Sequence, residues 1–219
     1  YRFHREGLIL YHNGNRKRRS RLRPPFFQRE GECRVQLNTL SMVHDFLKRS
    51  VQPGAFCIDA TAGKGRDTAL LCRLAGETGR VLAFDVQPEA VAQTKALLTA
   101  EHLTAEVILD SHANMERYAG AGTADCIVFN FGRLPGGDPS IFTQEDSSVA
   151  ALEAALRLLK PGGVIAVALY YGGANGYGER DAVLSWLEGL DDRQFSVLRC
   201  DWANRRNDPP MPVFIWKER

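Results

Sequence analysis

The stretch Ala55-Phe56-Cys57-Ile58-Asp59-Ala60-Thr61-Ala62-Gly63-Lys64-Gly65-Arg66-Asp67-Thr68 decides the fold. Its first five residues form a short apolar run set off by Pro53-Gly54, which reads as a buried strand. A glycine-containing loop follows, and Asp67 to Leu74 then looks helical until Gly76 and Gly79 end it. Glycines between a strand and a helix let the backbone approach a ligand, and the helix start offers free amide donors to it.

The same alternation extends in both directions. Upstream, Thr39 to Lys48 spaces Leu40, Val43, Phe46 and Leu47 at helical intervals. Downstream come a strand at Arg80 to Phe84, a helix at Pro88 to Ala100, and strands at Glu106 to Leu109 and Asp125 to Phe129. Ser147 to Lys160 reads as a helix stopped by Pro161-Gly162-Gly163, Val164 to Leu169 as a fifth strand, and Glu179 to Leu190 as a helix. Gln194 to Arg199 and Pro212 to Trp216 complete seven strands. Strands alternating with helices of about a dozen residues imply βαβ units. The expected fold is therefore α/β: a doubly wound, mostly parallel, Rossmann-like sheet of seven strands with an antiparallel C-terminal edge. Ligands on such sheets bind beyond the carboxyl ends of the strands.

Composition narrows the class. With 44% hydrophobic and 25% charged residues, disorder throughout is excluded. The longest apolar run, Val164 to Tyr171, is far short of a bilayer span, and no signal peptide is visible, so a cytoplasmic protein without membrane contact is expected. Cys33, Cys57, Cys72, Cys126 and Cys200 are scattered without a CxxC pair, which reads as reduced core thiols. His4, His12, His44 and His102 show no metal-ligand spacing, and no metal is expected.

The net charge of +2 hides an asymmetry. Residues 1–35 hold ten basic residues against three acidic ones, +7, and the rest of the chain carries −5. Residues 1–36 read as a basic arm outside a main domain of 37–219. Such an arm either attracts phosphates without regard to sequence or is a solvated linker or the remnant of a neighbouring domain.

Three cofactor classes use a glycine loop of this kind. A phosphate-binding Walker A loop is rejected, because Lys64 is not followed by Ser or Thr. A dinucleotide fingerprint is weakened, because the third glycine position of GxGxxG, counted from Gly63 and Gly65, is Thr68. S-adenosylmethionine (SAM) remains. Its ribose diol calls for an acid at the tip of the second strand, and Asp85 stands there, 20 residues after Gly65. Taken alone, Asp85 is also a helix N-cap residue ahead of Pro88.

Five blocks carry a family resemblance. They are residues 59–68, Phe84-Asp85-Val86-Gln87, Ser111-His112, Asn130-Phe131-Gly132-Arg133-Leu134-Pro135-Gly136-Gly137-Asp138 and Asn204-Arg205-Arg206-Asn207-Asp208-Pro209-Pro210. In that order, the chain from about residue 37 onward resembles the rRNA methylase family of class I SAM-dependent methyltransferases. That family includes the bacterial enzyme that methylates 5-aminomethyl-2-thiouridine at the tRNA wobble position. The resemblance implies SAM as cofactor, bound by Asp59, Gly63, Lys64, Gly65, Asp67, Asp85, Gln87, Ser111 and His112. Gly63, Lys64, Gly65 and Asp67 would line the methionine end, Asp85 and Gln87 the ribose and adenine, and Ser111 with His112 the adenine ring. Taken alone, His112 is equally a core or loop-capping histidine. The chain departs from the family at Lys64 (usually Asn), Arg66 (His or another polar residue), Arg133 (often Tyr), and Tyr171 and Gly173 (His).

Methyl transfer to an amine needs position more than acid–base power, and the amine must be uncharged. Asn130 ends the fourth strand, where its amide oxygen would orient the nitrogen lone pair; Asn130 and the LPGGD block are also ordinary turn chemistry. Asp138 is a proton acceptor or a turn residue. Arg133 and Leu134 would shape the pocket wall. Tyr170 and Tyr171 stack on a base or pack the sheet end, and Asn204 and Asn207 close over substrate or end a strand before proline. The expected activity is N-methylation of tRNA at its anticodon stem-loop, with a homodimer possible. The alternatives are a small-molecule or rRNA methyltransferase, or a non-catalytic RNA-binding protein of the same fold.

Overall fold

The computed structural model describes residues 37–132, 145–171 and 176–218. The arm of residues 1–36, and Arg133, Leu134, Asp138 and Gly173, lie outside them. The described elements run α1 (Thr39–Ser50), β1 (Phe56–Asp59), α2 (Arg66–Ala75), β2 (Arg80–Asp85), α3 (Pro88–Ala100), β3 (Glu106–Leu109), a 3-10 helix (His112–Arg117), β4 (Ala124–Phe131), α4 (Glu145–Leu158), β5 (Leu159–Leu169), α5 (Gly176–Glu188), β6 (Phe195–Arg199) and β7 (Met211–Lys217).

The strands form one seven-stranded sheet in the order β3-β2-β1-β4-β5-β7-β6. The pairings from β3 across to β5 are all parallel. Winding proceeds outward from β1 to β3 and then returns, because β4 pairs with β1. That reversal opens a crevice beyond the carboxyl ends of β1 and β4, where such sheets bind ligands. The expected antiparallel C-terminal pair is present. β7 inserts between β5 and β6 and pairs antiparallel with both, so β7 alone runs against the other strands and β6 is the outer one.

Side chains alternate between two cores. Ile58, Leu82, Phe84, Ile127, Phe129 and Ile165 pack on one face against α4, α5 and Met115 of the 3-10 helix. Cys57, Val81, Cys126, Val128 and Val164 pack on the other face against Val43 and Leu47 of α1, Leu71 of α2 and Leu98 of α3. Cys57, Cys72 and Cys126 are buried free thiols, and Cys200 is a partly buried one.

Two elements depart from the sequence expectation. The helix expected to run to Lys160 ends at Leu158, and β5 already starts at Leu159. Leu159 pairs with Ala124 and Val164 with Cys126, so Pro161-Gly162-Gly163 is absorbed as an irregularity within the strand rather than acting as a helix stop. Lys217 donates to the Leu156 and Leu159 carbonyls at 2.9 and 2.7 Å, satisfying the end of α4 from β7. The short 3-10 helix after β3 was not expected, since six residues carry too little periodicity to be read.

Local chemistry starts the helices that frame the crevice. Asn38 caps α1 by accepting from the Ser41 amide at 2.8 Å, and Thr39 Oγ1 donates to the Pro210 carbonyl. Helix α2 begins at Gly65, whose φ is +78°. A Cβ there would lie 2.9 Å from the Thr94 Cα of α3. Both the left-handed backbone and the close approach require glycine. Gly65→Ala is expected to lose about 1–3 kcal/mol of stability in urea unfolding, the scale of one strained backbone position. Wild-type stability in that variant would contradict the reading.

Candidate functional site

The site is built at the carboxyl ends of β1, β2 and β4. Asp59 closes β1 and is fully buried. It accepts from the Thr61 amide at 3.1 Å and from the Thr68 hydroxyl of α2 at 2.6 Å, so one carboxylate ties the loop to both of its flanks. Thr61 in turn accepts the Asn130 amide of β4 through Oγ1 at 2.7 Å. The loop also reaches β2. The Ala62 amide donates to the Phe84 carbonyl, and the Gly63 amide donates to Asp85 Oδ2 at 2.9 Å. Asp85 Oδ1 accepts the Gln87 amide at 2.9 Å. Thr94 of α3 backs the loop by donating to the Gly63 carbonyl.

A second buried carboxylate, Asp67, stands in the first turn of α2. Its Oδ2 accepts Asn130 Nδ2 at 2.5 Å, and its Oδ1 lies 2.5 Å from His44 Nε2 of α1. Three elements distant in sequence thus meet at one carboxylate. Asn130 is half-buried and places its side chain against Asp67 rather than in a turn of its own. His44, read from the sequence as an ordinary histidine, belongs to this cluster. It sits beside the buried Val43 on α1, and no spacing in the chain links it to Asp67.

His112 Nδ1 donates to the Ala60 carbonyl at 3.2 Å, while its ring lies edge-on to Phe129 and Phe131. Burial pulls its pKa below the ordinary value, which favours the neutral ring. With the Nδ1 proton shared with the carbonyl, Nε2 is an acceptor, and it is buried with no partner among the described residues. Ser111 caps the 3-10 helix, its hydroxyl accepting from the Ala113 amide.

These features fit SAM. The orphaned Nε2 suits an amine donor such as that of adenine, and Asp85 suits a diol. Gln87 is buried at the start of α3, beside Asp85. Lys64 on the loop and Arg66 at the start of α2 are both exposed.

The tyrosines after β5 separate. Tyr170 is 40% exposed, and its Cβ position is one that a side chain on Gly132 would strike. Asp67 adds to the burial that pushes the Tyr170 phenol upward in pKa. Tyr171 is buried in the core, with the Arg180 guanidinium 4.9 Å from its ring centroid. Asn204 and Asn207 are exposed on the β6–β7 loop, and Asn207 and Asp208 adopt φ of +68° and +49°. That loop and Tyr171 line a cavity, in which Arg205 stacks 3.5 Å above the Trp202 ring and Arg206 stands exposed. Among the described residues, no helix is long and apolar enough to cross a membrane, and no group of three His, Cys, Asp or Glu side chains is arranged to hold a metal ion.

The profile of the family described as "Putative rRNA methylase" matches residues 81–216. A chloroplastic protein of Arabidopsis thaliana named "tRNA (mnm(5)s(2)U34)-methyltransferase" is 32% identical over 187 residues, 80% of this chain and 68% of that protein. The crystal structure of an rRNA-methylase of the same description from Clostridium thermocellum is 43% identical, with a TM-score of 0.81 over 83% of this chain and 98% of that one. A "putative methyltransferase" from Streptococcus mutans, solved in complex with SAH (S-adenosylhomocysteine), is 35% identical, with a TM-score of 0.76 over 83% of this chain and 98% of that one.

Burial and the neighbouring Asp67 charge push the Asp59 carboxyl up to about 7. An acid raised above its unfolded value favours the folded state fully at low pH, and that contribution is lost as pH rises toward the folded value. Between pH 5 and pH 8 the protein is therefore expected to lose on the order of 2 kcal/mol more unfolding free energy than Asp59→Asn. Denaturant titrations at the two pH values measure this, and parallel losses would contradict it.

Proposed function

The chain belongs to the rRNA methylase family and is a SAM-dependent methyltransferase, and from that premise we propose that it N-methylates 5-aminomethyl-2-thiouridine at the tRNA wobble position. Bound SAM supplies a methyl group on a cationic sulfur. In this reading Asp85 accepts the ribose hydroxyls, His112 Nε2 accepts from adenine, and the amides of the Gly63–Gly65 loop face the methionine end. Asp67 and Asp85 give the loop a negative field that suits a cationic cofactor.

The observation that carries the proposal is the orientation of Asn130. A carboxylate only accepts, so Asp67 takes the NH2 of the Asn130 amide and turns Oδ1 the other way. Oδ1 accepts no hydrogen bond from a described residue. It then takes an N–H of the substrate amine and directs the nitrogen lone pair toward the methyl group, which is positioning without proton transfer. The exposed Tyr170 ring, on the neighbouring strand end, provides a face for the uracil.

An RNA substrate fits two further features. Arg205 and Arg206 place positive charge on the β6–β7 loop at the same end of the sheet. Residues 1–36, read as a basic arm preceding the methyltransferase domain of 37–219, would add sequence-independent phosphate contacts. The relative from Arabidopsis thaliana bears the name of this same wobble-uridine activity.

Paired variants separate cofactor binding from chemistry. Asp85→Ala should weaken SAM binding in calorimetry by about 1.5–3 kcal/mol, the scale of hydrogen bonds to a charged group. Asn130→Ala should leave SAM affinity nearly intact and slow single-turnover methylation of tRNA carrying 5-aminomethyl-2-thiouridine by about 2–4 kcal/mol of barrier. Full activity of Asn130→Ala would remove it from the mechanism, and no turnover by the wild type would overturn the substrate.

A further inference from the structure

We infer that His44 is a positioning residue for methyl transfer, acting through Asp67 to hold the Asn130 amide in its working orientation. The inference rests on the proposed role of Asn130. His44 lies on α1, before the glycine loop, in none of the sequence blocks that mark the cofactor site. Its Nε2 nevertheless stands 2.5 Å from Asp67 Oδ1, and the other oxygen of that carboxylate holds Asn130 Nδ2 at 2.5 Å.

Three physical points give the contact a purpose. First, the Asp67 side chain is only 9% exposed, so an oxygen deprived of its donor would remain largely without water. Second, a carboxylate gripped at one oxygen only can rotate about its last torsion, which is broad and roughly two-fold. Gripped at both oxygens by groups from α1 and β4, it cannot turn without breaking a short bond. Third, the amide of Asn130 is itself nearly symmetric in shape, and what tells its oxygen from its nitrogen is the partner it faces. Fixing Asp67 therefore fixes which atom Asn130 shows to the substrate.

Helix α1 is anchored for this task at its other end. Asn38 and Ser41 form a reciprocal cap, Thr39 Oγ1 donates to the Pro210 carbonyl, and Arg205 Nη2 donates to the Leu37 carbonyl at 2.6 Å. Val43 and Leu47 are fully buried against the sheet on either side of His44. The imidazole is thus delivered by a helix with little freedom to slide. It remains a quarter exposed, and it stands one carboxylate away from Asn130.

The test uses the full chain as His44→Ala and His44→Gln, the glutamine amide being able to donate to Asp67 as the imidazole does. Two readouts are taken: single-turnover methylation of tRNA carrying 5-aminomethyl-2-thiouridine, and the NMR signals of the Asn130 side-chain NH2, assigned by their loss in Asn130→Ala. Circular dichroism confirms folding of each variant. His44→Ala is expected to slow methylation at least tenfold, to shift the Asn130 NH2 signals and to speed their exchange with water, with SAM affinity changed less than threefold. His44→Gln is expected to recover most of the rate and the wild-type signals. Unchanged Asn130 signals in folded His44→Ala would overturn the inference whether or not the rate falls, and so would a failure of glutamine to restore them. If His44→Ala does not fold, the His44→Gln signals decide alone. If the wild type does not methylate this tRNA, the proposed substrate falls, while the NH2 signals still decide the role of His44.

Discussion

A single buried carboxylate holds the glycine loop in place. Asp59, at the end of β1, accepts from the loop through the Thr61 amide and from α2 through the Thr68 hydroxyl. These two hydrogen bonds act on a segment with φ > 0 at Gly63 and Gly65. From that clamp the other contacts follow in order. Thr61 receives the Asn130 amide, Ala62 and Gly63 reach across to β2 and Asp85, and Gly65 starts the helix that presents Asp67. Keeping Asp59 out of water is unfavourable to its charge, which is why its carboxyl titrates near neutrality.

The site has a consistent electrostatic character. Asp59, Asp67 and Asp85 converge on the loop, whereas Lys64 and Arg66 are exposed outside their network. Such a cluster of acids suits a cofactor with a cationic sulfur and ammonium better than one with phosphates. The loop spacing points the same way, rejecting the Walker A reading and weakening the dinucleotide one. His112, kept neutral by burial, adds an acceptor without adding charge.

How much of this was legible in the sequence follows from what kind of constraint each feature obeys. The alternation of apolar runs and helical spacing implied a doubly wound sheet but not its strand order, and each of the seven expected strands is present, β5 starting early at Leu159. The β4–β5 region misled because Pro161-Gly162-Gly163 usually marks a break, whereas here a register shift carries it inside β5. Asp85 and the glycine loop were readable because both obey local spacing. His44 was not, since its contact with Asp67 spans 23 residues and depends on how α1 lies beside α2. Tyr170 and Tyr171 were alike as neighbours in sequence, and only the fold separates the exposed ring from the buried one.

Nucleoside mass spectrometry of tRNA from cells lacking the gene tests the account most directly. Loss of the methylaminomethyl form of 2-thiouridine with accumulation of the aminomethyl form is the result the account predicts. An unchanged content of the methylated nucleoside would contradict it.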